Sequence, residues 1–309
     1  MRKKLQILIE VAIAILTVLV ILQPDMPYIA TLYENAIWII FLFIFIGLAA
    51  MIFKRVSLVY FSMLSAAVLT FFLQTLSNGE LMLKKNKFSN ENGLHVLHIN
   101  VFNYQKDNKS LLAKIEKTAP DIISFEEWTP DFKKFFIKRL KDEYPYYSVM
   151  NSIDADNKII MSKYKITEVD TFYIDMHPQL DIYFDYKGGI ANIIFVYLFP
   201  EIKAKSGNFS QTIQLADYIK TKKNPFIIVG DFNQVYWSKD IRNFLLDSKL
   251  KNARRYVSFA KRNPYEHIFY SDGILCHQLN EVYDNNNEPY GIEGIFSIPA
   301  YKNSLSSKL

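Results

Sequence analysis

Cysteine is nearly absent from this chain: Cys276 is the only one in 309 residues. An internal disulfide and a cysteine-based metal cage are therefore excluded. Histidine is scarce too, with five in the chain, and His95, His98, His177 and His277 show no metal-ligand spacing. A dense basic face of the kind nucleic-acid modules carry is also missing. The net charge is +5; five basic and three acidic residues before residue 77 supply +2 of it, leaving +3 for the rest. Beyond the clusters Lys251–Arg255 and Lys261–Arg262, which read as solvated faces, nothing favours a nucleic-acid partner. No internal repeat or low-complexity tract is present, and DNNNEP from Asp284 reads as a surface loop.

Long apolar runs, by contrast, crowd the first quarter. Leu5–Leu22, Ala36–Phe53 and Val56–Leu76 are each long enough for a hydrocarbon core of about 30 Å at a rise of about 1.5 Å per residue. Glu10 is the one charge inside them, close enough to the start of the first run to reach an interface. A cleaved signal peptide would account for the first run alone. Arg2, Lys3 and Lys4 precede the first run and Lys54 and Arg55 separate the second from the third, whereas Pro24–Asn35 holds no Lys or Arg. By the positive-inside rule both basic clusters face the cytoplasm, so three crossings put everything after Ser77 outside. Lys84, Lys85 and Lys87 pull against that orientation.

Residues 81–93 read as a polar linker, residues 94–300 as one α/β domain, and residues 301–309 as a polar tail. Strand-like runs occur at His95–Val101, in DIISFEEW, KIIMS, YIDMH, LDIYFDY, ANIIFVYL, PFIIVGDFN, EHIFYS and GIFSIP. Helical spacing marks Leu111–Lys117, Asp131–Lys141, Ser210–Thr221 and Ser238–Asp247. About ten strands interleaved with helices imply two sheets packed between helical layers.

Within that pattern the run Pro225–Asn233, PFIIVGDFN, carries a strand buried on both faces straight into Asp231 and Asn233. The carboxylate of Asp231 can accept a proton and the amide of Asn233 can hold an oxygen; a polar turn closing a core strand is the plainer alternative. Four segments in order, HINVFN, PDIISFEEWTP, IIMSKYKI and IIVGDFN, followed by the tryptophan of NQVYWS, resemble the endonuclease/exonuclease/phosphatase superfamily, whose domain is a deoxyribonuclease I-like two-sheet α/β sandwich. The similarity runs over roughly His95–Pro299, and the nearest look-alikes are bacterial proteins with amino-terminal membrane spans. That likeness implies a bacterial cytoplasmic (inner) membrane protein with its carboxy-terminal domain outside.

The resemblance assigns roles residue by residue. Asn100 would hold a phosphate oxygen or a water, Glu127 would bind Mg²⁺ or Mn²⁺, Asp231 would orient or deprotonate the attacking water, and Asn233 would fix that water or the phosphate. Glu126 stands where relatives often have glutamine. Two histidines of the family pattern are missing. Tyr197 takes the place of the first; the second falls in GIEGIFSIP, which leaves Glu293, as a further metal-linked acid, and Gly294. Glu266 stands for the aspartate before His267. Losing one electrostatic group at a transition state costs about 2.7–4 kcal/mol. Two function classes follow: a divalent-metal-dependent phosphoester hydrolase tethered to a lipid bilayer and possessing an impaired site, or an inactive relative that binds a phosphorylated ligand or protein. A third is a membrane-held scaffold.

Overall fold

The computed structural model describes residues 2–24, 29–76, 93–102, 108–151, 157–199, 211–254, 264–283 and 289–299. The apolar first quarter forms four helices, α1 (Arg2–Leu22), α2 (Ile29–Glu34), α3 (Ala36–Ile52) and α4 (Val56–Thr75). Lys3–Leu22 and Val56–Thr75, of 20 residues each and mean hydropathy 2.8 and 2.1, are long and apolar enough to cross a membrane. The third expected span is a 17-residue helix, because the chain turns at Phe53 and Lys54, the latter in a left-handed conformation.

The remaining elements alternate between strand and helix. They are β1 (Leu94–Asn100), α5 (Asn108–Thr118), β2 (Ile122–Glu126), α6 (Pro130–Leu140), β3 (Tyr146–Met150), β4 (Lys158–Ser162), β5 (Ile166–Ile174), β6 (His177–Tyr186), β7 (Gly189–Tyr197), α7 (Gln211–Ile219), β8 (Phe226–Asp231), α8 (Lys239–Ser248), β9 (Lys251–Asn252), β10 (Glu266–Tyr270), β11 (Leu275–Tyr283) and β12 (Pro289–Ser297). Two six-stranded sheets result, in the orders β11-β12-β1-β2-β4-β3 and β5-β6-β7-β8-β10-β9. Each sheet holds one parallel pair at its centre, β1 with β2 and β7 with β8. A helix lies between the members of each pair, α5 in the first and α7 in the second.

Side-chain alternation along the central strands builds the layers. Leu94, Val96, Ile122, Ile160, Ile193, Phe195, Ile227, Val229 and Ile268 fill the space between the sheets. Their neighbours Leu97, Ile99, Ile123, Phe125, Ile159 and Met161 face the other way, onto α5 and α6, and Ile194, Val196, Ile228 and Phe232 face α7 and α8. Phe136 of α6 is wholly buried there and contributes roughly 1.5–3 kcal/mol relative to an exposed ring. The starts of α6 and α8 are set by side-chain caps: Thr129 Oγ1 accepts from the Phe132 amide (3.3 Å) and Ser238 Oγ from the Ile241 amide (3.2 Å).

Several expectations are corrected. YIDMH spans the β5–β6 hairpin: Tyr173 and Ile174 end β5 and His177 begins β6, but Asp175 and Met176 form the turn at positive φ. Three strands, β3, β9 and β11, were not anticipated; β9 is only two residues long, and the mostly exposed or half-buried side chains of β3 and β11 lack a clean apolar period. Within the Lys251–Arg255 cluster Lys251 is exposed, as a solvated face requires, but Arg254 is buried and pairs with Glu281 at 2.5 Å; Arg255 lies outside the described residues. Apart from Gly93, the linker lies outside the described residues, as do the DNNNE loop and the tail.

Candidate functional site

At one end of the sandwich the inner layer changes from apolar to polar. The same alternation that puts Val96, Ile122, Ile160, Phe195, Val229 and Ile268 between the sheets continues, two or four residues on, to Asn100, Glu126, Lys158, Tyr197, Asp231 and Glu266. Strand register sets them side by side: Asn100 opposite Glu126, Glu126 opposite Lys158, Tyr197 opposite Asp231 and Asp231 opposite Glu266. Asn100, Glu126, Tyr197 and Asp231 are the last residues of β1, β2, β7 and β8, so both parallel pairs present their carboxyl ends to the same place. That is where open α/β sheets place ligands.

Asn100 joins the two sheets. Its Nδ2 donates to Glu127 Oε1 at 2.7 Å and to Asp231 Oδ2 at 3.1 Å. The other Asp231 oxygen accepts the Asn233 amide at 2.7 Å, and Asn233 Nδ2 donates to the Leu198 carbonyl at 2.8 Å. Glu127 and Asn233 both adopt left-handed backbone, φ 52° and 50°. For glutamate that conformation costs of order 1–3 kcal/mol, a strain typical of functional positions. Gly230 at φ 153° has a different reason: a Cβ there would lie 1.8 Å from the Val196 carbonyl oxygen of the adjoining strand. Only glycine lets β8 approach β7 closely enough to bring Asp231 beside Tyr197.

Two site members were not singled out as functional by sequence reasoning. Glu126 and Lys158 are completely buried. Burial holds the Glu126 carboxyl well above the usual carboxylate range, Lys158 opposes that, Asp231 and Glu127 add to it, and the Asp231 backbone amide opposes it. The Lys158 ammonium also lies 5.8 Å from the centre of the Tyr197 ring. Burial and then Lys158 push the His98 imidazole down to about 3, so it stays neutral, with Nδ1 2.8 Å from Ser124 Oγ. Tyr197 is raised, by burial first and then by Glu127, Asp231 and Glu126; its phenol stays protonated beside the Asn233 amide. A lysine beginning the run KIIMS carries no local signal of this role. Strict period-2 counting from Ile160 back to Lys158 would have placed it inside.

Glu293 does not join the constellation. It pairs with Leu97, three residues before Asn100, and hydrogen-bonds to His95 (3.2 Å) and Asn280 (2.8 Å). Burial alone would raise its carboxyl, but these partners hold it below the usual value. Gly294 packs in the core, where a Cβ would meet the Phe296 ring at 2.5 Å. His267 faces away from the inner layer, against Phe232 and Phe269, and its Nε2 donates to the Gln234 carbonyl at 2.7 Å. Burial, then Arg254, lower its imidazole to about 3 against the Gln234 contact.

The sequence model of the Endonuclease/Exonuclease/phosphatase family matches residues 97–289, which contain Asn100, Glu127, Asp231 and Asn233. The chain belongs to that family. Among solved structures, this family member is similar to a humanized D. rerio TDP2 bearing 14 mutations (15% identity, TM-score 0.54, 68% of this chain and 100% of that one). It is also similar to an endonuclease/exonuclease/phosphatase family protein of Leptotrichia buccalis C-1013-b (15%, 0.53, 66% and 100%) and to the human Nocturnin catalytic domain with bound sulfate (13%, 0.52, 67% and 94%). Those likenesses concern the fold. No curated protein sequence matches.

Members of this family are generally dependent on a divalent metal. Among the described residues no three His, Cys, Asp or Glu side chains converge as a closed metal cage. Two carboxylates drawn to one amide suit an open site for a hard cation, which takes few protein oxygens and completes its shell with water and substrate. At Trp128, the residue after Glu127, begins an open pocket of about 760 Å³ lined also by Lys133, Lys134, Lys138 and Lys141, with the Lys133 ammonium 5.0 Å from the Trp128 ring centre. Such a wall favours anions.

Proposed function

We propose that this family member is a membrane-anchored, Mg²⁺- or Mn²⁺-dependent phosphoester hydrolase. The observation that carries the reading is the Asn100 amide, which holds Glu127 of one sheet and Asp231 of the other within hydrogen-bond reach. Glu127 and Asp231 would hold the cation, which would supply charge to the phosphoryl oxygens. Asp231 accepts the proton of the attacking water; its carboxylate is kept in place by the Asn233 amide and Asn100. The Asn233 side chain positions a substrate oxygen together with the neutral Tyr197 hydroxyl, which donates a hydrogen bond where the family pattern has a histidine. Lys158 acts from behind Tyr197 as a fixed positive charge. Glu293 has no part in this site. Anchoring is supported by the two helices of sufficient length and apolarity.

A second reading is a binding-only descendant that holds a phosphorylated ligand or protein without turning it over, and the neutral phenol of Tyr197 favours it. The two separate in one experiment on the full chain in detergent. Hydrolysis of a generic phosphodiester and phosphomonoester is followed with Mn²⁺ or Mg²⁺, with Asp231→Asn in parallel and Mn²⁺ affinity measured for Glu127→Gln. The hydrolase reading expects turnover that Asp231→Asn removes and metal affinity that Glu127→Gln lowers. Metal and phosphate binding without turnover would select the second reading.

A further inference from the structure

The loop that follows the site strand is held from two sides. On the sandwich side, the Gln234 carbonyl accepts from His267 and the Asn233 amide binds Asp231. On the other side, Gln23, just past α1, donates from Nε2 to the Trp237 carbonyl at 2.9 Å, and the Trp237 indole donates to the Tyr33 carbonyl of α2 at 2.6 Å. Arg242 of α8 reaches Gln23 Oε1 at 3.4 Å and lies 5.4 Å from the Phe72 ring of α4. Val235, Tyr236 and Trp237 are fully buried in the same apolar cluster as Ala36, Leu69 and Leu73. These contacts on the helical side come from one end of the bundle: the finish of α1, the finish of α2, the start of α3 and the last two turns of α4. Away from that end the helices expose Leu8, Val11, Phe45, Phe61 and Leu64, a surface suited to lipid.

From this geometry we infer that the site-bearing edge of the sandwich is turned toward the bilayer by this latch, and that the substrate is a lipid of the same membrane with a phosphate-ester head group. The inference rests on the hydrolase reading above. The polar inner layer ends at Asp231, and only Phe232, Asn233 and Gln234 separate it from Val235–Trp237, which dock on the helix ends. On this reading a head group at the water interface reaches the site without leaving the bilayer. In the reaction, a water oxygen forms the new bond to phosphorus while its proton passes to Asp231. The ester P–O bond breaks, and the leaving alkoxide takes a proton from solvent, so water and phosphoester become a phosphate product and an alcohol.

The test uses the full chain in vesicles of phosphatidylethanolamine, phosphatidylglycerol and phosphatidic acid with Mn²⁺, against bis(p-nitrophenyl) phosphate in solution, for wild type and for Gln23→Ala combined with Arg242→Ala. Released head group and phosphate are followed by mass spectrometry. In parallel, hydrogen exchange of the 235–238 amides is measured. The expected result is lipid turnover by wild type that drops about tenfold or more in the double variant, as misplacement of a reacting centre does, with the soluble rate unchanged and faster exchange at 235–238. Equal losses on lipid and soluble ester would overturn the orientation and make the loop an internal support of the site. Turnover of the soluble ester alone would overturn the lipid assignment while leaving the hydrolase reading intact. If wild type turns over neither, the hydrolase reading fails and the lipid substrate with it. Unchanged exchange in the double variant refutes the latch whatever the activities.

Discussion

Replacing Lys158 by methionine removes an ammonium buried at the polar end of the inner layer beside Glu126, Glu127 and Asp231. The stem keeps its volume, so the change is almost purely electrostatic. Removing one partner of a buried charged pair costs about 3–5 kcal/mol, because the remaining charge is stranded away from water. In a sandwich of this size each kcal/mol moves the melting temperature by about 2–4 °C, which puts Lys158→Met roughly 6–20 °C below wild type. Glu126 stands directly opposite Lys158 in register and is equally buried, but burial already favours its uncharged form, so the stranded charge is not its own. Glu126→Gln should therefore cost under about 1 kcal/mol alone and restore no more than about 0.5 kcal/mol when added to Lys158→Met. Calorimetry of the four proteins in detergent at neutral pH completes the cycle. A Lys158→Met protein as stable as wild type, or a double variant clearly more stable than Lys158→Met, would refute the account of this charge cluster.

Acid should weaken the fold through His98 and His267. Each imidazole falls from an ordinary 6.5 to about 3 in the folded chain, so the unfolded chain binds protons that the folded one refuses. Their stabilising effect is complete above pH 6.5 and is lost on acidification toward 3, at up to about 1.4 kcal/mol per pH unit for each; urea midpoints for wild type and His267→Gln between pH 7.5 and 5 should show the variant with the shallower acid limb. Gly230→Ala drives a Cβ into the Val196 carbonyl and should lose more than about 4 kcal/mol, read as collapse of protease resistance; an unchanged melting temperature counts against the close strand approach. Glu127→Asn should raise stability slightly, by less than about 1 kcal/mol, because asparagine tolerates the left-handed backbone and one carboxylate leaves the cluster, while Mn²⁺ affinity falls. Lys134→Ala with Lys138→Ala should raise KM for an anionic substrate and leave kcat near wild type, as loss of uniform binding does; a fall in kcat alone would place these lysines elsewhere in the reaction.

Much of this protein was legible in its sequence because the signals are local. Apolar length marked the helices of the first quarter, continuous β-rich runs marked the central strands, and the polar end of PFIIVGDFN marked Asp231 and Asn233, while Asn100 and Glu127 came from the order of four motifs that resemble the family. Tertiary structure decided what local patterns leave open. Strands buried on both faces show no alternation in hydropathy, so only packing reveals that Lys158 and Glu126 point between the sheets with Asp231. Glu293 was drawn toward the site by a short motif, yet the β1–β12 register sets it beside Leu97, and a ladder register depends on the whole pair of strands rather than on either segment. The seat of the loop after Asn233 on the helix ends joins residues more than 200 positions apart, Gln23 with Trp237 and Tyr33 with Trp237. No periodicity within either segment encodes that contact; it arises because the apolar faces of both need covering and the folded geometry brings them together.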